Sequence, residues 1–237
     1  MTDIHSWDKA RLPDAVYDLA MRLGVKPDCT AAAVRLIQIG RMKRKLEGEA
    51  WMGFTATQTI AADRCGFDWQ AKAGPLGLIS VRDALVDGEA RLDVQAFGFL
   101  PLAHAPHTAS LLRGELLRYL AEMPWAPHAI LHNPALTWRV DGPETLAVSA
   151  GVGDAASEVV LTLGTEGRVA GAFAADRPRS ATAPILPTPW RGRFSDYRSH
   201  HAIWLPFAGE VAWEINGQAV TYWQGQIVDW EMQEKAK

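Results

Sequence analysis

The spacing of apolar residues predicts two helices at the start of the chain. The first begins after Pro13 and ends at Gly24, because proline suits the first turn of a helix and glycine its C-terminus. Its apolar side consists of Val16, Leu19, Ala20 and Leu23. A second helix is predicted from near Asp28 to Gly40. Its apolar side consists of Ala33, Val34, Leu36, Ile37 and Ile39. Residues 1–46 are therefore interpreted as an N-terminal helical segment.

From residue 50 onward, apolar and polar residues alternate. Strict alternation predicts strands that have one buried face and one wetter face. Asn216-Gly217, between two such segments, is typical of a type I′ hairpin turn. The predicted strands cover residues 51–58, 67–72, 92–96, 136–140, 146–149, 159–163, 169–174, 194–197, 210–215 and 219–230.

One helix interrupts the strands at about residues 109–123, and Thr108 or Ser110 can cap its start. About ten to twelve strands suit one closed, half-closed or folded-over antiparallel sheet. We therefore predict a mainly β (α+β) protein. It forms a single domain over residues 1–237, with the antiparallel sheet over residues 50–232.

Composition and charge narrow the classes of function. The chain has 237 residues, of which 48% are hydrophobic, and its 24 basic and 27 acidic residues give a formal charge of −3. This near balance of charge predicts no nucleic-acid partner. The sequence contains no apolar run of about 18 residues, so we predict no membrane-spanning segment. Cys29 and Cys65 lack the Cys-x-x-Cys spacing, and residues 1–8 lack the pattern of a secretory signal. We therefore expect two thiols in a reducing compartment and a cytoplasmic protein.

Several aromatic and charged motifs follow one another in a recognisable order. They are Phe54-Thr55-Ala56-Thr57-Gln58, Phe67-Asp68-Trp69, Gly114-Glu115-Leu116-Leu117-Arg118-Tyr119-Leu120-Ala121-Glu122 and Trp125-Ala126-Pro127, followed by Trp138, Pro189-Trp190, Tyr197, Pro206 and Trp213. This order, over residues 30–230, resembles a bacterial family of uncharacterised proteins known only as a domain of unknown function. The resemblance implies a large antiparallel half-barrel that wraps around N-terminal helices and one central helix. This shape is similar to that of lipoprotein-carrier-like half-barrels, although shape alone does not fix function.

Three charged residues lie on one stripe of the predicted central helix. Glu115, Arg118 and Glu122 are spaced by three and four residues, so they project from neighbouring positions. They can form an ion-pair ladder that fixes the helix against the sheet. Alternatively, they line a cavity in which Arg118 binds an anionic group and Glu115 or Glu122 acts as an acid or base.

Ionisable residues late in the chain give further candidates. Tyr197 is one candidate acid or base, and His200 or His201 is another, although only one of these adjacent histidines can face a cavity. Arg191 is a second candidate for binding an anionic group. Residues 177–189 are predicted to form a loop rich in proline, serine, threonine and alanine. The arginines that flank it can also meet an anionic ligand, although nearby Asp176 and Asp196 balance their charges; they are Arg177, Arg179, Arg191 and Arg193.

The histidine pairs in the middle of the chain do not predict a metal site. His104-x-x-His107 and His128-x-x-x-His132 lie among prolines, which disfavour the regular helix that an i,i+4 ligand pair needs. No Gly-x-Ser-x-Gly nucleophile motif is present in the sequence. We therefore predict no metal and no cofactor.

Tryptophan is unusually frequent, with ten residues against seven phenylalanines. Most lie on predicted strands, where the rings either fill a core or line a cavity. Trp230 follows Trp223 by seven positions, an odd separation, which predicts that the two lie on opposite faces of one strand. The candidates for ligand contacts are Trp69, Trp125, Trp190 and Trp213.

Three classes of function are compatible with the sequence. The first is binding of a hydrophobic or amphipathic small molecule in the concavity of a Trp-rich sheet, by a chain that can be a homo-oligomer. The second is a cofactor-independent acid–base enzyme, a lyase, isomerase or hydrolase, that acts on an apolar substrate with an anionic group. The third is a structural or partner-binding module.

Overall fold

A computed structural model describes residues 12–29, 31–180 and 184–234 of the chain. The N-terminal residues behind the expectation about a secretory signal therefore lie outside the described part. Three α-helices occur within it: α1 (Asp14–Arg22), α2 (Ala109–Ala121) and α3 (His128–His132). The strands, β1 to β13 in chain order, are Ala31–Lys43, Trp51–Ala61, Phe67–Ala73, Ile79–Val86, Glu89–Ala96, Leu100–Ala105, Thr137–Gly142, Thr145–Ala150, Ser157–Leu163, Val169–Pro178, Pro187–His200, Ile203–Ile215 and Gln218–Glu234.

All thirteen strands belong to one antiparallel sheet, as the alternating pattern predicts. Their order is β6-β5-β4-β3-β2-β1-β13-β12-β11-β10-β9-β8-β7, so β6 and β7 are the edges of an open sheet. The first six strands form one meander and the last seven form another. The two meanders meet where β1 pairs with β13.

Helix α2 connects the two meanders across one face of the sheet. It packs against β4 and β5 on one side and against β8, β9 and β10 on the other. Thr108 caps the helix, since its Oγ1 accepts a hydrogen bond from the Leu111 amide at 3.1 Å. The helix's own side chains Leu117, Tyr119 and Leu120 are fully buried against the sheet. The predicted central helix is therefore confirmed, and the face that it covers is called the concave face below.

The predicted second helix is wrong, because residues 31–43 form strand β1. Val34, Leu36 and Gln38 point to the concave face and are almost fully buried, whereas Ile39 is 43% exposed. A short apolar run fits a helical and a strand period equally well, and its β-branched residues favour the strand. Pairing with both β2 and β13 then satisfies the backbone on each side.

The predicted placement of Trp223 and Trp230 on opposite faces is also wrong. Trp223 pairs with Met42 of β1 and Trp230 pairs with Leu36, and these two partners are six residues apart and share a face. The register shifts by one residue between these pairs, at a β-bulge that contains Val228. A bulge adds one residue to a strand and reverses the alternation beyond it.

Candidate functional site

A cavity of about 260 Å³ lies between α2 and the concave face of the sheet. Arg118, Ala121 and Glu122 of α2 form one wall, and strands of both meanders form the others. A wider open groove of about 1060 Å³ also occurs. Most of the residues that line this groove occupy the strand positions between those that point to the concave face. The groove therefore lies on the opposite, outer face of the sheet. The cavity is the candidate site because aromatic rings and buried charges meet there. Its aromatic lining consists of Trp69, Trp125, Trp190, Phe194, Tyr222 and Trp223.

The aromatic rings form a connected array along the cavity. Phe54 contacts Trp69 edge-on, with centroids 5.6 Å apart, and stacks on Trp223 at 5.7 Å. Trp223 lies 6.1 Å from Trp125, and Trp125 contacts Phe194 edge-on at 5.3 Å. Such edge-on and stacked pairs are favourable beyond the burial of their area, so the array is a preformed apolar wall.

Three glycines let these rings lie directly against the sheet. Gly40 pairs with Gly225, and Gly225 pairs with Gly209, so the three form a row across β1, β13 and β12. A Cβ on Gly40 would lie 2.7 Å from the Phe54 ring, and a Cβ on Gly209 would lie 2.9 Å from the Trp125 ring. A Cβ on Gly225 would collide with the ring of Trp223. The glycines therefore provide the space that the aromatic array occupies.

At one side of the cavity, Arg118 is neutralised by two carboxylates. Its Nη1 lies 2.5 Å from Asp83 Oδ2, its Nε lies 2.8 Å from Glu122 Oε1, and its guanidinium lies 4.6 Å from the centroid of the Phe67 ring. Burial disfavours the charged guanidinium. The charges of Glu122, Asp83 and nearby Glu115 outweigh that effect and raise the pKa of Arg118.

A chain of buried amides extends this ion-pair cluster into the sheet. Gln58 Nε2 donates to Glu122 Oε2 at 2.5 Å, and Gln38 Nε2 donates to Gln58 Oε1 at 3.2 Å. Trp69 Nε1 donates to Gln38 Oε1 at 2.8 Å. Both glutamines are at most 1% exposed. Sequence reasoning missed Gln38, Gln58 and Asp83, although a glutamine at an inward position of an alternating strand is a usable signal of a buried polar network.

Glu115 lies one turn before Arg118 in α2 but, unlike Glu122, forms no ion pair with it within the described residues. Burial, followed by the charge of Asp83, raises the pKa of Glu115 well above its usual range, although Arg177 and Arg118 oppose the shift. Relative to a free glutamic acid, the site therefore favours the protonated form of Glu115, which can donate a hydrogen bond to Asp83.

At the other side of the cavity, Arg177 lies among aromatic rings. Its guanidinium carbon is 4.4 Å from the Trp190 ring centroid and 5.6 Å from that of Trp213. Its Nε donates to the Gly114 carbonyl at 3.2 Å, and Nη1 lies 3.5 Å from the Tyr222 hydroxyl oxygen. A register shift between Ala174 and Arg177 turns the arginine toward the concave face, against simple alternation from Ala174.

The family comparison identifies the chain. Residues 10–231 match the model of the family of unknown function DUF6920. The chain belongs to this family. The predicted resemblance to a domain of unknown function is thereby confirmed. No curated protein matches the sequence.

Two solved structures with the same fold, at TM-scores of 0.51 and 0.50, confirm the predicted half-barrel of this DUF6920 member. A domain from Vibrio parahaemolyticus, assigned to outer membrane lipoprotein sorting, aligns at TM-score 0.51 with 9% identity, covering 94% of this chain and 93% of that chain. A DUF1329 family protein from Desulfovibrio piger aligns at TM-score 0.50 with 10% identity, covering 92% of each chain. A LolA superfamily protein from Nitrosomonas europaea aligns at TM-score 0.49 with 8% identity, covering 94% of each chain. Such low identities support the fold alone.

The predicted cytoplasmic location is wrong for this DUF6920 member. Its fold is that of a domain assigned to outer membrane lipoprotein sorting, which takes place in the periplasm. Cys29 and Cys65 are free thiols, as expected, but free thiols do not identify the compartment. No helix within the described residues is long and apolar enough to cross a membrane.

The structure brings together only some of the sequence-predicted site residues of this DUF6920 member. Arg118, Glu122, Trp69, Trp125 and Trp190 line the cavity. Two further candidates lie next to the cavity wall. Glu115 is one helical turn before Arg118 in α2. Trp213 is buried, and its ring stacks on that of Tyr222 with centroids 5.9 Å apart.

The remaining candidates lie away from the cavity. Arg191 pairs with Glu214 at 2.8 Å on the outer face. The Tyr197 hydroxyl donates to the Val169 carbonyl at 2.8 Å, and burial raises its pKa. His200 Nε2 lies 3.0 Å from the Trp230 carbonyl oxygen. His201 adjoins it, in the turn between β11 and β12. Among the described residues, no three His, Cys, Asp or Glu side chains are grouped to hold a metal.

Proposed function

We propose that the chain binds a hydrophobic or amphipathic small molecule in the cavity between α2 and the concave face. The observation that carries this proposal is the preformed array of aromatic rings along that cavity. Small-molecule sites are concave, mostly apolar and largely preformed, with a few placed polar groups. The cavity of about 260 Å³ has these properties and suits a small or partly inserted ligand.

The degree of burial of the rings supports binding over simple packing. Phe194, Tyr222 and Trp223 face the concave side but are only partly buried. Aromatic surface that stays in contact with water has not yet gained the free energy of burial. A bound apolar group would cover these three rings, and Gly225 provides the space in which the Trp223 ring lies.

The acid–base enzyme receives no such support from Glu122. Arg118 donates to one of its carboxylate oxygens and Gln58 donates to the other. A carboxylate held in this way stabilises the helix–sheet contact and is poorly placed to exchange a proton with a substrate. We therefore place binding ahead of catalysis.

The test is binding of N-phenyl-1-naphthylamine, a neutral apolar dye that brightens in apolar surroundings. We expect saturable binding at one site. Gly192→Leu should weaken it at least tenfold, because Gly192 lines the cavity and its added Cβ would meet only ordinary contacts of 3.6 Å or more before the side chain fills the space.

The matched control is Gly171→Leu on the neighbouring strand. Gly171 pairs with the outward-facing Arg193, and a Cβ there also meets only ordinary contacts. This variant should bind the dye like the unaltered protein. The proposal is wrong if the unaltered protein binds no dye, or if Gly192→Leu binds as well as Gly171→Leu.

A further inference from the structure

Arg177 is a buried positive charge that no described carboxylate neutralises. Its side chain lines the cavity, and the residue is 9% exposed. Within the described part of the chain, its guanidinium makes no ion pair, whereas Arg118 across the cavity makes two. Its recorded partners are a backbone carbonyl, a tyrosine hydroxyl and two indole rings.

Glu115 interacts electrostatically with Arg177, but within the described residues the two form no ion pair. The charge of Arg177 lowers the pKa of Glu115, but burial and the charge of Asp83 outweigh this effect and hold that pKa well above its usual range. The positive charge of Arg177 therefore lacks a carboxylate partner at this side of the cavity, within the described residues. Buried charges in proteins are normally paired, because an unpaired charge in apolar surroundings is costly.

Tyr222 adds a second donor at the same place. Its hydroxyl oxygen accepts a hydrogen bond from Trp190 Nε1 at 3.1 Å and lies 3.5 Å from Arg177 Nη1. No described residue accepts the hydroxyl hydrogen of Tyr222. A ligand oxygen at this position would receive that hydrogen together with the charge-assisted hydrogen bonds of the guanidinium.

We infer that the ligand is an anionic amphipath whose carboxylate or phosphate head group is bound by Arg177 and Tyr222. This inference rests on the proposed function. The apolar part of the ligand would lie along Phe194, Trp125 and Trp223, which line the same cavity as Arg177. Arg118 is not the receptor for the head group, since Asp83 and Glu122 already neutralise it.

The experiment compares four ten-carbon probes that differ only in the head group. Decanoate, decyl phosphate, decanol and decylammonium displace the neutral dye at pH 7.5. We expect decanoate or decyl phosphate to bind at least tenfold more tightly than decanol, and decylammonium to bind most weakly. The ranking of the two anions identifies the head group. In Arg177→Met, which retains a chain of similar length, all four probes should bind within about threefold of one another.

Arg191→Met is the matched control, because Arg191 lies on the outer face and pairs with Glu214. It should keep the full preference for anions. The inference fails if the unaltered protein binds decanol as tightly as both anions, or if Arg177→Met binds the dye normally and keeps the preference. In either case the proposed function stands. Failure of the dye and of decanol to bind at all would overturn the proposed function itself.

Discussion

The two sides of the cavity hold an arginine each but treat its charge differently. Arg118 lies between two carboxylates, and buried amides of β1 and β2 support one of them. Arg177 lies between indole rings and makes no ion pair within the described residues. Carboxylates of the chain therefore neutralise the charge of Arg118, whereas no described carboxylate pairs with Arg177. Under the proposal made above, one arginine stabilises the fold, whereas the other binds the head group of a ligand.

Removing each arginine in turn should give the largest effect and the clearest contrast. Arg118→Met leaves Asp83 and Glu122 buried without their partner and should lower the free energy of unfolding by about 3–5 kcal/mol. Arg177→Met removes hydrogen bonds but no ion pair, and should cost less than about 1.5 kcal/mol. Urea denaturation measures both. Equal losses would mean that Arg177 also has a structural counter-charge, and the contrast between the two sides would disappear.

A smaller effect is expected from the amide chain on the Arg118 side. Gln58→Leu leaves Glu122 Oε2 and the Gln38 amide without a buried partner, and should cost about 1–3 kcal/mol. Thr57→Val on the outward face of the same strand is the control and should change the stability little. If both substitutions have the same effect in urea denaturation, the amide chain does not support Glu122.

Alternation predicts most of this fold because each strand buries one face. The Glu115, Arg118 and Glu122 stripe is also visible in the sequence, since it depends only on helical spacing. Its partners Asp83 and Gln58 come from strands that lie far away in the chain, so spacing cannot reveal them. The second predicted helix failed for a related reason, because only pairing with β2 and β13 decides between two periods that fit the same residues.

β-Bulges explain why strand alternation alone does not place Arg177 in the cavity. Counting by twos from buried Ala174 places Arg177 outside, but the register shift in β10 brings it inside. Tyr222 is likewise the extra residue at a register shift between β13 and β12, and it lines the cavity. Bulges often re-aim side chains next to functional sites, and no local sequence pattern marks these ones.

The smallest expected change concerns Glu115 of α2, whose carboxyl group interacts electrostatically with both Arg118 and Arg177. Its pKa is raised in the folded protein, so folding retains a proton that the unfolded chain releases above about pH 4.3. The stability that depends on this proton is full below that pH and is lost as the pH rises toward the folded pKa. Gln resembles the neutral acid, so Glu115→Gln should match the unaltered protein near pH 4 and become relatively more stable as the pH increases.

Thermal unfolding across this pH range measures the difference, and Glu122→Gln is the matched control on the same helix. Glu122→Gln should be less stable at neutral pH, because it removes the carboxylate that neutralises Arg118. If Glu115→Gln also loses stability at pH 8, Glu115 is ionised in the folded protein and compensates Arg177. The charge of Arg177 would then be neutralised by Glu115 without a ligand. Both arginines would have a carboxylate partner within the chain.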